Sequence, residues 1–414
     1  MKRRVFLAFA ALAACSDLRS EDFIVAEKNG EGIQAAIDAA AVGGGRVVVT
    51  PGNYESGTLY LRSNVELHIE EGAVICGKTS AADYSDVQSA EGLYPENSKR
   101  AFLVCEDCRN VSITGAGTID GRGVSFYDAS RLNGDGFFEK PECERPRMLQ
   151  FLRCRNVRLS GVTLKDSPCW TVWFRRCEDV DVSGVAILGD SRMINNDGID
   201  LDACRRVRVR KSRFDTADDC LVLRAIRSPN GSEAVCEDVL VEDCVLKSRC
   251  QCVRIGCPSD DTIRDATFRR IKSKGRNAVF SCHPYQYLSP GDRGYLRTAN
   301  IVFEDWEVDC YGFAVCLSVD SGIKLRDFGH FVFRDFKVCA QAPIRLRGCA
   351  ESMLVDLTFD GFSGSITDAV PFEIRSVSGL SLNRFALTSG AGKKGSFRGA
   401  VGGSWETSKG SASR

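Results

Sequence analysis

Cys154-Arg155-Asn156-Val157-Arg158-Leu159-Ser160-Gly161 is followed by Cys177-Glu178-Asp179-Val180-Asp181-Val182-Ser183-Gly184. The same figure occurs earlier, as Cys108-Arg109-Asn110-Val111-Ser112-Ile113-Thr114-Gly115, and later, as Cys204-Arg205-Arg206-Val207 and Cys236-Glu237-Asp238-Val239. From Cys154 onward the copies recur every 23 to 32 residues. Each copy alternates apolar and polar residues, the period of a strand, and is too short to close a core alone. Stacked copies can close one, with apolar side chains inward and each strand paired to its equivalents above and below. The expected architecture is all-β, a single-stranded right-handed parallel β-helix. A β-propeller is the rival, but its blades need about 40 residues and four strands each.

Outward from the repeat, the longest interval between copies holds Gly121 to Glu144, read as a long loop. With the stretch 283–298 it is expected to wall a groove. Toward the amino terminus, Ile33, Ala36, Ile37 and Ala40 share one helical face, and Gly43-Gly44-Gly45 ends that helix. It is expected to cap the open end of the stack. Residues 1–20 read as an export signal: a basic Met1-Lys2-Arg3-Arg4, then an apolar run from Val5 to Ala14, too short to span a bilayer. Leu12-Ala13-Ala14-Cys15 matches a bacterial lipobox, so a lipid on Cys15 is the one membrane attachment expected; cleavage near Ala13 or Ala14 is the competing reading. Residues 21–388 are expected to form the solenoid, and 389–414, rich in Gly, Ser and Lys, a flexible tail.

Basic and acidic residues number 55 each. No global field argues for nucleic acid, and a monomer acting on an uncharged partner or through a local charged site is expected. Twenty cysteines would suggest a disulfide framework in a small exported domain. Here they recur at one place in the repeat of a chain long enough to bury a large core, which predicts mostly free thiols packed as small apolar groups. Cys105-Glu106-Asp107-Cys108 and Cys250-Gln251-Cys252 lack partner pairs at zinc-site spacing, so neither metal nor cofactor is expected.

Chemistry concentrates in Asn195-Asn196-Asp197-Gly198 and Asp218-Asp219, with 21 residues from Asp197 to Asp218. That is one coil of the repeat, so the two clusters should stack in one solvent-open pocket. Grouped carboxylates can divide into a general acid and a water-activating base. Adjacent residues on a regular strand face opposite ways, so a bend is needed at Asp218-Asp219. Asp200 and Asp202 alternate with Ile199 and Leu201 and read as a polar strand face flanking the site.

These motifs, with Gly115-Ala116-Gly117-Thr118-Ile119-Asp120-Gly121, Arg145-Pro146-Arg147 and Ser167-Pro168-Cys169-Trp170 in the same order, resemble glycoside hydrolase family 28, the polygalacturonase-like β-helix enzymes. The resemblance implies a glycosidase that cleaves pectin-type or related polysaccharides with inversion. In that scheme Asp218 is the acid, and Asp197 and Asp219 hold the attacking water. It also exposes departures. The family's Gly-His-Gly aligns with Cys250-Gln251-Cys252, placing Gln251 where a His is expected. The family's Arg-Ile-Lys aligns with about Phe280-Ser281-Cys282, which carries neither cation. Asn195, Gln251, Arg224, Arg254 and His283 are the substrate-binding candidates, with Trp170 and Trp173 as candidate sugar-stacking rings. The alternatives are a non-catalytic carbohydrate-binding β-helix and a polysaccharide lyase, the latter needing a calcium site and a Lys or Arg base.

Overall fold

The computed structural model describes residues 22–87, 96, 98–256, 258–283, 296–390 and 396–402. Every ladder between its strands is parallel. Strands equivalent in the repeat pair coil upon coil. Arg109–Gly115, Arg155–Ser160, Glu178–Ser183, Arg205–Arg210 and Val235–Glu242 form one continuous face. A second face runs through Arg147–Leu152, Cys169–Arg175, Ile199–Asp202, Leu221–Arg224 and the end of Val245–Ile255. A third runs through Thr118–Asp120, Thr163–Lys165, Ala186–Leu188 and Arg213–Thr216. This is the right-handed parallel β-helix, the hand favoured when parallel strands are joined by crossovers.

The corners explain the repeated motif. The second residue after each repeat cysteine adopts the left-handed conformation: Asn110, Asn156, Asp179, Arg206 and Asp238 all have φ between 52° and 57°. Asn and Asp tolerate that region best among residues with a Cβ. The asparagines also stack, Asn156 Nδ2 donating to Asn110 Oδ1 at 2.8 Å and Asn110 Nδ2 to Asn64 Oδ1 at 2.7 Å. The cysteines at these corners are free and buried. Their thiols donate to carbonyls at the bend, Cys177 to Phe151 at 3.4 Å and Cys204 to Phe174 at 3.3 Å. A thiol there packs as an apolar group and still gives the turned carbonyl a weak partner.

In later coils the interior becomes aromatic. Phe268, Phe303, Phe333 and Phe359 stack in register with centroids 4.7–5.0 Å apart, the spacing of neighbouring strands. At the amino-terminal end the helix Gly30–Ala40 lays Ile33, Ile37 and Ala40 against the core. Asn29 caps it by accepting from the Gly32 N–H at 2.8 Å. At the other end, the stretch read as a tail from Ser389 is not wholly loose. Ser396–Gly402 pairs with Phe372–Asn383, because an unpaired edge strand offers a ladder of donors and acceptors. Residues 1–20 and Cys15 lie outside the described residues.

Candidate active site

The two acidic clusters meet at one corner of the solenoid. Asp197 lies two residues before the start of the strand Ile199–Asp202, and Asp218-Asp219 lies in the bend between Arg213–Thr216 and Leu221–Arg224. That bend removes the conflict a regular strand would create. It is held by the Asn196 side chain, whose Oδ1 accepts from the Ala217 N–H at 2.8 Å and the Asp218 N–H at 3.0 Å. Ser248 and Thr216 hydroxyls both donate to the Asp218 carbonyl at 2.6 Å. Pairing of Ile199 with Leu221 and of Leu221 with Val253 puts Asp197, Asp219 and Gln251 on successive rungs. Main-chain bonds from Gly198 N to Asp219 O at 2.8 Å and from Cys220 N to Gln251 O at 2.9 Å tie those rungs together.

Exposure differs within the trio. Asp218 is half-buried and reaches solvent. Asp197 and Asp219 are 3% and 0% exposed, so the single open pocket expected for all three is not what forms. The corner that gathers them also folds Asp197 and Asp219 behind Asp218. Two arginines accompany them. Arg254 lies 2.9 Å from Asp219, and Arg224 lies 3.1 Å from Asp200 and 3.9 Å from Asp197. Arg224 also stacks over the Trp170 ring at 4.4 Å.

Burial and crowding set the protonation. Burial, then the charges of Asp218, Asp200 and Asp219, holds the Asp197 carboxyl well above the usual carboxylate range. Burial pushes Asp200 up to about 7 against the opposing pull of Arg224. Asp219 is pushed up to about 6, again by burial, with Arg254 working the other way. Asp200 therefore belongs to the cluster itself rather than to its flank. Asp202, on the same face, is taken up by a buried ion pair with Arg175.

The other candidates divide. Asn195 is in the left-handed region at φ 56°. Its N–H faces Asp218 Oδ2 at 3.3 Å, while its side-chain oxygen accepts from Arg145 at 2.9 Å. Buried Arg145 also binds the Tyr127 hydroxyl at 2.6 Å and the Ile194 carbonyl at 2.8 Å, so it fastens the 121–144 loop to the turn that carries Asp197. Gln251 accepts from Asn277 at 2.6 Å and donates to the Cys250 sulfur at 3.2 Å. His283 does not join the site. Alternation from core residue Val279 turns it inward, edge-on to Phe328 at 4.8 Å, and burial pushes its ring down to about 3. Trp170 and Trp173 are both buried, perpendicular to each other with centroids 6.0 Å apart, and offer no face to a sugar. Of the walling loops, 121–144 packs against the Asp197 turn through Phe138 N to Arg192 O at 2.7 Å. The other, 283–298, falls mostly outside the described residues.

Ligand atoms of Asp218, Asp219 and Cys250 lie within 4.8 Å of one another. A cation there would have to displace Arg254 and deprotonate a thiol that burial pushes well above its ordinary value. Buried carboxyls that hold protons fit proton chemistry better.

With this geometry in view, the comparisons are specific. A sequence model of Glycosyl hydrolases family 28 matches residues 45–236. The match takes in slightly less than half of the chain, and over those residues the chain is similar to that family. It is 30% identical over 182 residues to an endo-polygalacturonase of Pectobacterium carotovorum subsp. carotovorum, a match covering 42% of this chain and 44% of the relative. The chain thus spans less than half the length of that curated relative. The crystal structure of a hyperthermoactive exopolygalacturonase from Thermotoga maritima superposes with a TM-score of 0.66 at 22% identity, covering 88% of this chain and 92% of that one. PfbA, a surface adhesin of Streptococcus pneumoniae, superposes at 0.64 with 15% identity over 91% and 93%. At such identities the likeness is one of fold, and it extends to an adhesin. The family match includes the three carboxylates and ends before Gln251, Arg254 and Phe280.

Proposed function

We propose that this protein is a family 28 glycosidase that hydrolyses O-glycosidic bonds of a pectin-type or related polysaccharide. The observation that carries the reading is the placing of Asp197 and Asp219 on adjacent rungs, with Asp218 beside them at the solvent edge. Asp218, the accessible member, is assigned as general acid to the departing glycosidic oxygen. Asp197 and Asp219 are assigned to activate water for inverting attack. Asn195 and Arg224 hold this trio in place. Arg254 and Gln251 form its border toward the next coil. The amino-terminal basic and apolar stretch supports export, with lipidation of Cys15 as the proposed anchor.

Purified protein is incubated with pectic and non-pectic polysaccharides, and released sugars are followed by mass spectrometry. Asp218→Asn should lower turnover by at least about 100-fold with an unchanged thermal midpoint; undiminished turnover refutes the assignment. A second reading, a non-catalytic carbohydrate-binding β-helix, is favoured by one observation. Asp219 is fully buried against Arg254, so water reaches it only if the corner opens. Oligosaccharide binding by the wild-type chain without cleavage on long incubation would decide for that reading.

A further inference from the structure

The sheet face that carries the carboxylates continues past them, and its next rungs change character. In register, Val222 is followed by Arg254, Phe280, Cys316 and then Arg345. Alongside, Cys282 pairs with Ser318 and Ser318 with Arg347. Alternation points Phe280 and Cys282 outward, since Val279 is in the core and the Ser281 hydroxyl donates to the Ile255 carbonyl at 2.6 Å. Phe280, Cys282 and Ser318 are half-buried, so this strip of the face reaches solvent. It is an uncharged patch with one aromatic ring, one coil beyond Arg254.

The cations around it each face a carboxylate, and two of them share one. Arg254 is on Asp219 at 2.9 Å and Arg224 on Asp200 at 3.1 Å. At the far border Arg345 lies 2.9 Å and Arg347 3.7 Å from Glu373. A sugar carboxylate arriving here would have to share Arg345 or Arg347 with Glu373, and it would sit beside a cluster of four aspartates. On the side of the aspartates, a charge-assisted bond would require taking Arg254 from a fully buried carboxylate. Leaving such a charge unpaired is costly.

We propose that Phe280, bordered by Cys282 and Ser318, is the platform of a saccharide subsite that takes the apolar face of an uncharged pyranose residue and discriminates against a uronate. An aromatic ring gives contact area at little entropic cost, and a few convergent polar groups fix orientation. The inference rests on the reading that the groove binds a saccharide, and it does not require that the bond be cleaved.

The test is calorimetric binding of oligosaccharides to the full-length protein, with hydrolysis followed separately by mass spectrometry. Each oligosaccharide, from pectic and non-pectic polymers, is supplied as the free acid and after reduction of its carboxyl groups. The expected result is at least tenfold tighter binding of the reduced form of one pair. Phe280→Ala should remove that preference, Phe280→Tyr should keep it, and Phe280→Arg should shift it toward the acid. Equal or tighter binding of every free acid, or a preference unchanged in Phe280→Ala with a native thermal midpoint, overturns the proposal, as does binding of neither form of any pair. Binding with the expected preference but no cleavage sustains the subsite and removes only the glycosidase reading.

Discussion

Single side chains decide whether the carboxylates are usable, and not all of them announce themselves. Asp197, Asp218 and Asp219 were legible because carboxylates one repeat apart must stack. Asn196 was not, since an amide beside a turn carries no signal of which N–H groups it will cap. Its oxygen is the acceptor for two successive N–H groups, those of Ala217 and Asp218. Asn196→Ala leaves both without that partner in a buried bend, which should cost about 2 kcal/mol or more. It also frees the assigned acid to wander. The expected outcome is a fall in kcat of roughly tenfold with little change in KM, the pattern of an interaction needed in the transition state. Asn196→Ser, which keeps an acceptor, should recover part of it. Steady-state kinetics beside thermal unfolding would separate the two effects, and an unchanged kcat would remove Asn196 from the positioning role. His283 is the converse case. Counting alternate residues from Val279 already turns it inward, so its nearness in sequence to Phe280-Ser281-Cys282 was a weaker guide than the strand period.

At the scale of the coil, the repeat was readable wherever a cysteine stands two residues before a left-handed corner, as it does before Asn110, Asn156, Asp179, Arg206 and Asp238. It faded after residue 262 for a physical reason. There the strands lengthen, as in Thr262–His283 and Arg297–Phe313, and turn the corners without leaving the ladder. Cysteine then gives way to ring stacking as the feature that fixes register. Phe333 lies between Phe303 at 5.0 Å and Phe359 at 4.7 Å, with no exposed surface. Phe333→Ala should cost about 3–5 kcal/mol. In a stacked-repeat molecule the loss is felt mainly by neighbouring coils. Hydrogen exchange should therefore lose protection in Arg297–Phe313, Phe328–Ala342 and Leu354–Ile366 while the strands around Asp197 keep theirs. Uniform loss along the whole solenoid would show that the coils unfold as one unit.

Across the whole molecule, a balanced total charge hides two opposite populations of carboxylates. Those on the outer faces, such as Glu178 and Glu242, sit on arginines that pull them below their usual range. Those at the corner are pushed up by burial, Asp200 to about 7 and Asp219 to about 6. Composition gave equal numbers of acids and bases but not their depth, so this separation was invisible before the fold placed them. It has a signed consequence. A carboxyl whose folded pKa is raised keeps a proton that the unfolded chain has already released. Between the unfolded value of about 4 and the folded value of about 7, stability therefore falls as pH rises. His283, pushed down to about 3, acts oppositely between about pH 3 and 6.5, where the unfolded chain binds the extra proton. Comparing Asp200→Asn with wild type cancels the His283 contribution. The variant should gain on the wild type steadily as pH is raised from about 4 to about 7, and the difference should level off beyond. Each kcal/mol gained should appear as roughly 2 °C in thermal midpoint. Denaturant or thermal unfolding of both proteins across that range measures it. A difference independent of pH would mean that Asp200 is already ionised in the fold, with Arg224 outweighing its burial.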